Sequence, residues 1–102
     1  MIIVEGWVRV RPSDVERLRG SAAAMVRDTR AEPGCLAYAF AEDLAEPGVL
    51  RVIERWADEA ALAAHFATPH MAAFNQALAT AAIQGADIKV YGAQEIRTLM
   101  AR

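Results

Sequence analysis

The sequence carries one cysteine, two histidines and no long uncharged apolar run. The single cysteine, Cys35, allows no intrachain disulfide and agrees with a reducing compartment. Without an apolar run of about 18 residues there is no candidate membrane-spanning helix. The opening segment Met1–Glu5 has neither a basic region nor a cleavage site, so it reads as a strand and not as a signal peptide, and the cytoplasm is the expected compartment. Glycine-rich phosphate loops, an HExxH pair and paired cysteines are all missing, which leaves standard nucleotide and zinc motifs without support. Two histidines are too few for a three-histidine metal site; a mixed His/Glu site stays open, and no metal is predicted. The 11 basic residues are dispersed among 13 acidic ones, with a net charge of -2. No basic stripe could follow a phosphate backbone, and nucleic-acid binding is not expected.

What is present is apolar. Hydrophobic residues make up 55% of 102 positions, enough for a single domain over residues 1–102. So high an apolar load on so small a body predicts a partner subunit covering the surplus.

Residues 2–11 alternate, with Ile2, Val4, Val8 and Val10 on one face and Ile3, Glu5, Trp7, Arg9 and Arg11 on the other, which predicts a strand. Ser13 and Glu16 have capping-box spacing, and Val15, Leu18, Ala22, Met25, Val26 and Thr29 form one stripe, predicting a helix over 14–31 that Pro33-Gly34 ends. A second strand is predicted over 35–42 and a third over 49–56, joined by a turn-rich segment. Asp58 suits the N-cap of a short helix carrying Leu62, His65 and Phe66. Thr68-Pro69 then restarts helical structure to about Ala82. The break places His65 and His70 on different elements, so their spacing is not a helical ligand spacing. A last strand is expected around 87–98. The order β-α-β-β-α-β, with its second helix split, predicts an α+β ferredoxin-like domain. Trp7, Tyr38, Phe40, Leu50 and Trp56 supply more bulk than an exposed sheet face tolerates, so sheet-to-sheet packing in a homodimer would bury part of it.

His65 shares its stripe with Leu62 and Phe66, and is either an inward imidazole anchoring the helix or a pocket base. Imidazoles exchange protons near neutrality, which suits removal of a phenolic proton. His70, just after Pro69, either positions an anionic or phenolic oxygen or sits at the surface. Trp56 is a core anchor whose indole N–H needs an acceptor, or a flat wall against an aromatic substrate. Glu54, on the same face, could hold a histidine or an arginine. Tyr38, Phe40, Phe66, Met71, Phe74 and Tyr91 either complete a pocket or fill the core. Arg51 and Arg55 read as interface or surface ion-pair residues. Cys35 reads as a buried filler.

Four stretches carry a resemblance: Glu32-Pro33-Gly34-Cys35-Leu36-Ala37-Tyr38, Glu54-Arg55-Trp56-Ala57-Asp58, Ala61 to Phe66, and Thr68-Pro69-His70-Met71-Ala72-Ala73-Phe74. In this order they resemble the antibiotic biosynthesis monooxygenase domain family, including its quinol monooxygenase branch, over nearly the whole chain. The resemblance implies a dimeric α+β barrel made from two sheets, and oxygenation of electron-rich aromatic compounds without flavin, haem or metal. By position it implies that Trp56, His65 and His70 line the pocket, with His65 and Trp56 catalytic. Tyr38, Phe40, Glu54, Phe66, Met71, Phe74 and Tyr91 would join His70 around a small aromatic substrate and oxygen. Gly6-Trp7, where the haem-degrading branch has an asparagine, disfavours that branch. An isomerase or lyase of small carbonyl metabolites, and a non-catalytic dimeric module for a hydrophobic effector, stay open. A pocket reached by both Trp56 and His65 favours an enzyme; a cavity filled by the chain's own aromatics favours the module.

Overall fold

Alternation in the first residues gives β1 (Ile2–Arg9), the first of seven elements in a computed structural model that describes residues 1–102. It is followed by α1 (Pro12–Arg30), β2 (Cys35–Glu42), β3 (Val49–Trp56), α2 (Glu59–Phe66), α3 (Pro69–Leu78) and β4 (Gly85–Gly92). The strands form one antiparallel sheet in the order β2-β3-β1-β4. This is the ferredoxin-like α+β topology.

The register sorts the bulky side chains. Tyr38 pairs with Glu54, Phe40 with Val52 and Glu42 with Leu50, so Tyr38, Phe40, Leu50 and Trp56 share the face on which the helices pack. Trp7 pairs with Arg51 and Asp87 on the opposite face. There its indole lies over Gly85, where a Cβ would come within 3.3 Å of the ring. Four of the five residues expected to overload an open face are therefore covered within the chain.

The core joins Val4, Tyr38 and Trp56 from the sheet to Met25 of α1 and Leu62 of α2. Trp56 is fully buried. Removing about 200 Å² of indole from water stabilises by roughly 5 kcal/mol before the entropy of ordering is set against it. Ile88 and Val90 of β4, opposite Gly6 and Val4, stay about half exposed because the helices do not reach this edge.

Local signals misplaced three boundaries. The N-cap of α1 is Arg11, not Ser13, and Asp14 at N3 accepts from the Arg11 backbone N–H at 3.3 Å and from its Nε at 3.0 Å. Pro12 explains the shift: at N1 its missing N–H leaves no donor unsatisfied, so the helix starts there. Glu16 points outward and pairs with Arg19. Helix α3 ends at Leu78, and β4 ends at Gly92, after which Ala93 N–H donates to the Met1 carbonyl at 2.8 Å. Residues 93–102 have no regular structure.

Candidate active site

Three local structures place three side chains together. After α1, Glu32 N–H donates to the Thr29 carbonyl at 3.0 Å, and Gly34 adopts a φ of +82°. The left-handed turn favours glycine, and a Cβ there would lie 2.6 Å from the Ala61 Cβ. The Gly34 carbonyl accepts from Ala57 N–H at 2.9 Å, which fastens the turn to the start of α2. Asp58 caps α2 by accepting from Ala61 N–H at 2.8 Å, and His65 occupies its last turn. Thr68 then acts in both directions. Its hydroxyl donates to the His65 carbonyl at 2.8 Å and accepts from Met71 N–H at 3.2 Å, closing α2 and opening α3.

The result is one carboxylate between two imidazoles. His65 Nδ1 and His70 Nε2 each lie 2.7 Å from Glu32 Oε2. An ionised carboxylate only accepts, so each ring turns an N–H toward it. Neutral His65 is then the Nδ1–H tautomer, with its lone pair on Nε2. Exposure rises along the cluster: His65 is 1% exposed, Glu32 10% and His70 19%. The helix break puts the histidines on different elements, as the sequence indicates, yet brings both to the same oxygen. One carboxylate oxygen and two imidazole nitrogens, all within 4.8 Å of one another, form a donor set able to hold a metal ion.

Around this cluster the aromatic residues are packed. Trp56 and Tyr38 lie 4.9 Å and 5.5 Å from the His65 ring, and Tyr38 meets Phe40, which stacks on Phe74. Met71 packs against the same core. Glu54 holds neither a histidine nor an arginine; its Oε1 accepts from Trp56 Nε1 at 2.9 Å. Burial raises the Glu54 carboxyl above its ordinary value, partly offset by the Trp56 N–H. Burial also raises the Tyr38 hydroxyl, reinforced by the charges of Glu54 and Glu32. The Cys35 thiol is raised by burial first and then by the same two carboxylates, which disfavours its thiolate.

Two expected pocket residues lie elsewhere. Tyr91 pairs with Ile3 on the sheet face opposite Trp56, and is 46% exposed. Phe66 approaches His65 at 5.7 Å but is 59% exposed, because the last turn of α2 carries it outward. Glu32 is the residue that composition and periodicity missed. Only its place in the Glu32-Pro33-Gly34 stretch marked it.

The largest cavity, about 880 Å³, is an open groove between α1 and the β2–β3 end of the sheet. Leu18, Val26, Phe40 and Leu50 line it, with Arg19, Arg27 and Arg30 among its polar residues. A smaller crevice of about 150 Å³ between α1 and α3 is lined by Met25, Asp28, His70 and Phe74. Neither cavity is lined by Trp56 or His65. No helix is long and apolar enough to cross a membrane.

Residues 1–77 match the family model described as antibiotic biosynthesis monooxygenase. An uncharacterised protein of Synechocystis sp. is 34% identical over 96% of this chain and 67% of its own length. YcnE of Bacillus subtilis, a candidate monooxygenase, is 32% identical over 72% of this chain and 78% of its own. The crystal structure of a candidate antibiotic biosynthesis monooxygenase from Deinococcus radiodurans superposes with a TM-score of 0.88 at 30% identity, covering 99% of this chain and 100% of that one.

Proposed function

The chain belongs to the antibiotic biosynthesis monooxygenase family, and from that premise we propose that it oxygenates an electron-rich phenol or quinol with molecular oxygen, without flavin, haem or metal. Membership supports an oxidoreductase of the monooxygenase type. The observation that carries it is the 2.7 Å contact between Glu32 and His65. A buried carboxylate that fixes the Nδ1–H tautomer leaves Nε2 as the proton acceptor and stabilises the imidazolium that forms.

Triplet oxygen reacts slowly with closed-shell molecules, so the substrate must supply the electrons. His65 removes the phenolic proton, and the phenolate passes one electron to oxygen. The resulting radical pair joins at a ring carbon bearing hydrogen, and the His65 imidazolium protonates the peroxide to a hydroperoxide. The neutral imidazole then takes that carbon's proton as the O–O bond breaks, leaving a second carbonyl and hydroxide. The hydroxide takes the proton from the imidazolium and departs as water. One oxygen atom enters the quinone, the other becomes water, and the substrate gives up four electrons. The protein contributes position and a dry electrostatic setting. The 880 Å³ groove has the size of a small-molecule site. Phe40 lines it and meets Tyr38, which meets His65, so the ring must turn these two side chains aside to reach the base.

The reading includes a homodimer paired through its sheet faces and residence in the cytoplasm. The outer sheet face, which carries Trp7 and the exposed Ile53 and Tyr91, supports such a pairing. Reduced quinones and polycyclic phenols assayed for oxygen uptake by the metal-free chain test the activity. Turnover should be oxygen-dependent without additions, and His65→Ala should abolish it while the dimer persists. Turnover under strict anaerobiosis, or unchanged turnover in His65→Ala, sinks the reading.

One observation favours a second reading, a non-catalytic dimeric module for a hydrophobic effector: His65 and Trp56 are enclosed by the chain's own aromatics and line no cavity. Saturable binding of apolar ligands in the groove, with no oxygen uptake from any compound in the panel, is its signature.

A further inference from the structure

We propose that Glu32, His65 and His70 form a binding site for a divalent transition-metal ion of the zinc class, and that occupation of this site switches off the base. The second half rests on the role given to His65 above; the first does not.

The ligand atoms come from three separate elements, the turn after α1, the last turn of α2 and the first turn of α3, and each is fixed by its own backbone contacts. Two imidazole nitrogens and one carboxylate oxygen are the ligands of choice for zinc and its neighbours in the first transition series, and three protein ligands leave a position for water. With both imidazoles neutral, Glu32 gives the cluster one negative charge. Asp28 lines the crevice that His70 shares, which favours arrival of a cation from that side. The 2.7 Å contacts are hydrogen bonds. Around a tetrahedral ion at about 2.1 Å the ligand atoms stand about 3.4 Å apart. Each Glu32–imidazole contact would open by about 0.7 Å, and the two imidazole nitrogens, held within 4.8 Å, would close by up to about 1.4 Å. His70, partly at the surface, is the ligand free to make that movement.

The consequence for His65 follows from its tautomer. The nitrogen that binds the ion is Nδ1, which carries the proton in the metal-free cluster. Binding moves that proton to Nε2, the atom assigned as base, so His65 can no longer accept one. Metal occupancy and proton transfer are mutually exclusive at this imidazole.

Chelator-stripped protein is titrated with Co²⁺, followed by visible absorption, and with Zn²⁺, followed by calorimetry. One ion should bind per chain, and Glu32→Gln and His70→Asn should each weaken affinity by more than about tenfold. Exposed Asp87→Asn serves as a control that leaves it unchanged. Nitrogen-15 spectra of the wild-type imidazoles should show His65 passing from the Nδ1–H to the Nε2–H form as Zn²⁺ is added, a readout that needs neither a variant nor turnover. Absence of one-to-one binding, or binding indifferent to Glu32 and His70, overturns the site. Oxygen uptake that persists at saturating Zn²⁺ overturns the switch. Failure of the metal-free protein to consume oxygen bears only on the proposed activity.

Discussion

Glu32 Oε2 lies 2.7 Å from His65 Nδ1 across 33 positions of sequence, and the same oxygen meets His70 Nε2 at the same distance. Glu32→Gln keeps the shape, and its amide oxygen can still accept from both N–H groups, but it brings no negative charge to stabilise a His65 imidazolium. Steady-state oxygen uptake should fall on the order of 10²- to 10⁴-fold, with the circular dichroism spectrum retained. Undiminished turnover would remove Glu32 from the proposed proton transfer.

Glu54 is charged at a cost. Its raised carboxyl means that the fold favours the protonated form, so its relative stabilisation is complete below the ordinary glutamate value of 4.5 and is lost as pH rises through the raised one. Glu54→Gln keeps an acceptor for Trp56 Nε1 and has no charge to desolvate. Its melting temperature should exceed the wild type's at pH 7, with the gap closing as pH falls. A gap that widens in acid would contradict the assignment.

Asp14 works in the opposite direction. Hydrogen bonds from Arg11 and Arg17 hold its carboxyl well below the ordinary value of 3.8, so its contribution is present above that value and lost as pH falls toward the depressed one. Asp14→Asn should melt earlier at neutral pH and show a shallower decline in acid. Melting curves from pH 2 to pH 7 on both proteins check this; parallel curves would refute it.

Gly34 combines a positive φ with the absence of room for a Cβ. Gly34→Ala should destabilise by about 1–3 kcal/mol, lowering the melting temperature by roughly 4–8 °C for each kcal/mol in a chain of this size. Because the turn also carries Glu32, oxygen uptake should fall in molecules that remain folded. A variant as stable and as active as the wild type would show that the turn has slack.

The layout of the fold was legible because strand alternation and helix caps act over short distances. Val4, Tyr38 and Trp56 fell on the faces that the period of two assigns, and Asp58 and Thr68 cap the helices that their spacing announces. Arg11 and Pro12 outcompeted Ser13 because proline at N1 decides where a helix begins. The site was half legible. His65 and His70 stood out by scarcity, whereas Glu32 is one of many acidic residues and meets the histidines only when the Gly34 turn folds back on α2. Tyr91 misled because its strand register, unreadable from its own segment, turns it to the far face.

The two-residue stop at Ala67 and Thr68 governs direction as well as length. In an unbroken helix a five-residue step turns about 500°, leaving the two imidazoles about 140° apart around the axis. The interruption cancels that divergence, so both rings look inward at one oxygen. Lengthening or shortening it by a residue would swing His70 aside while Leu62 and Trp56 kept their seats, and the chain would keep its architecture after losing the cluster.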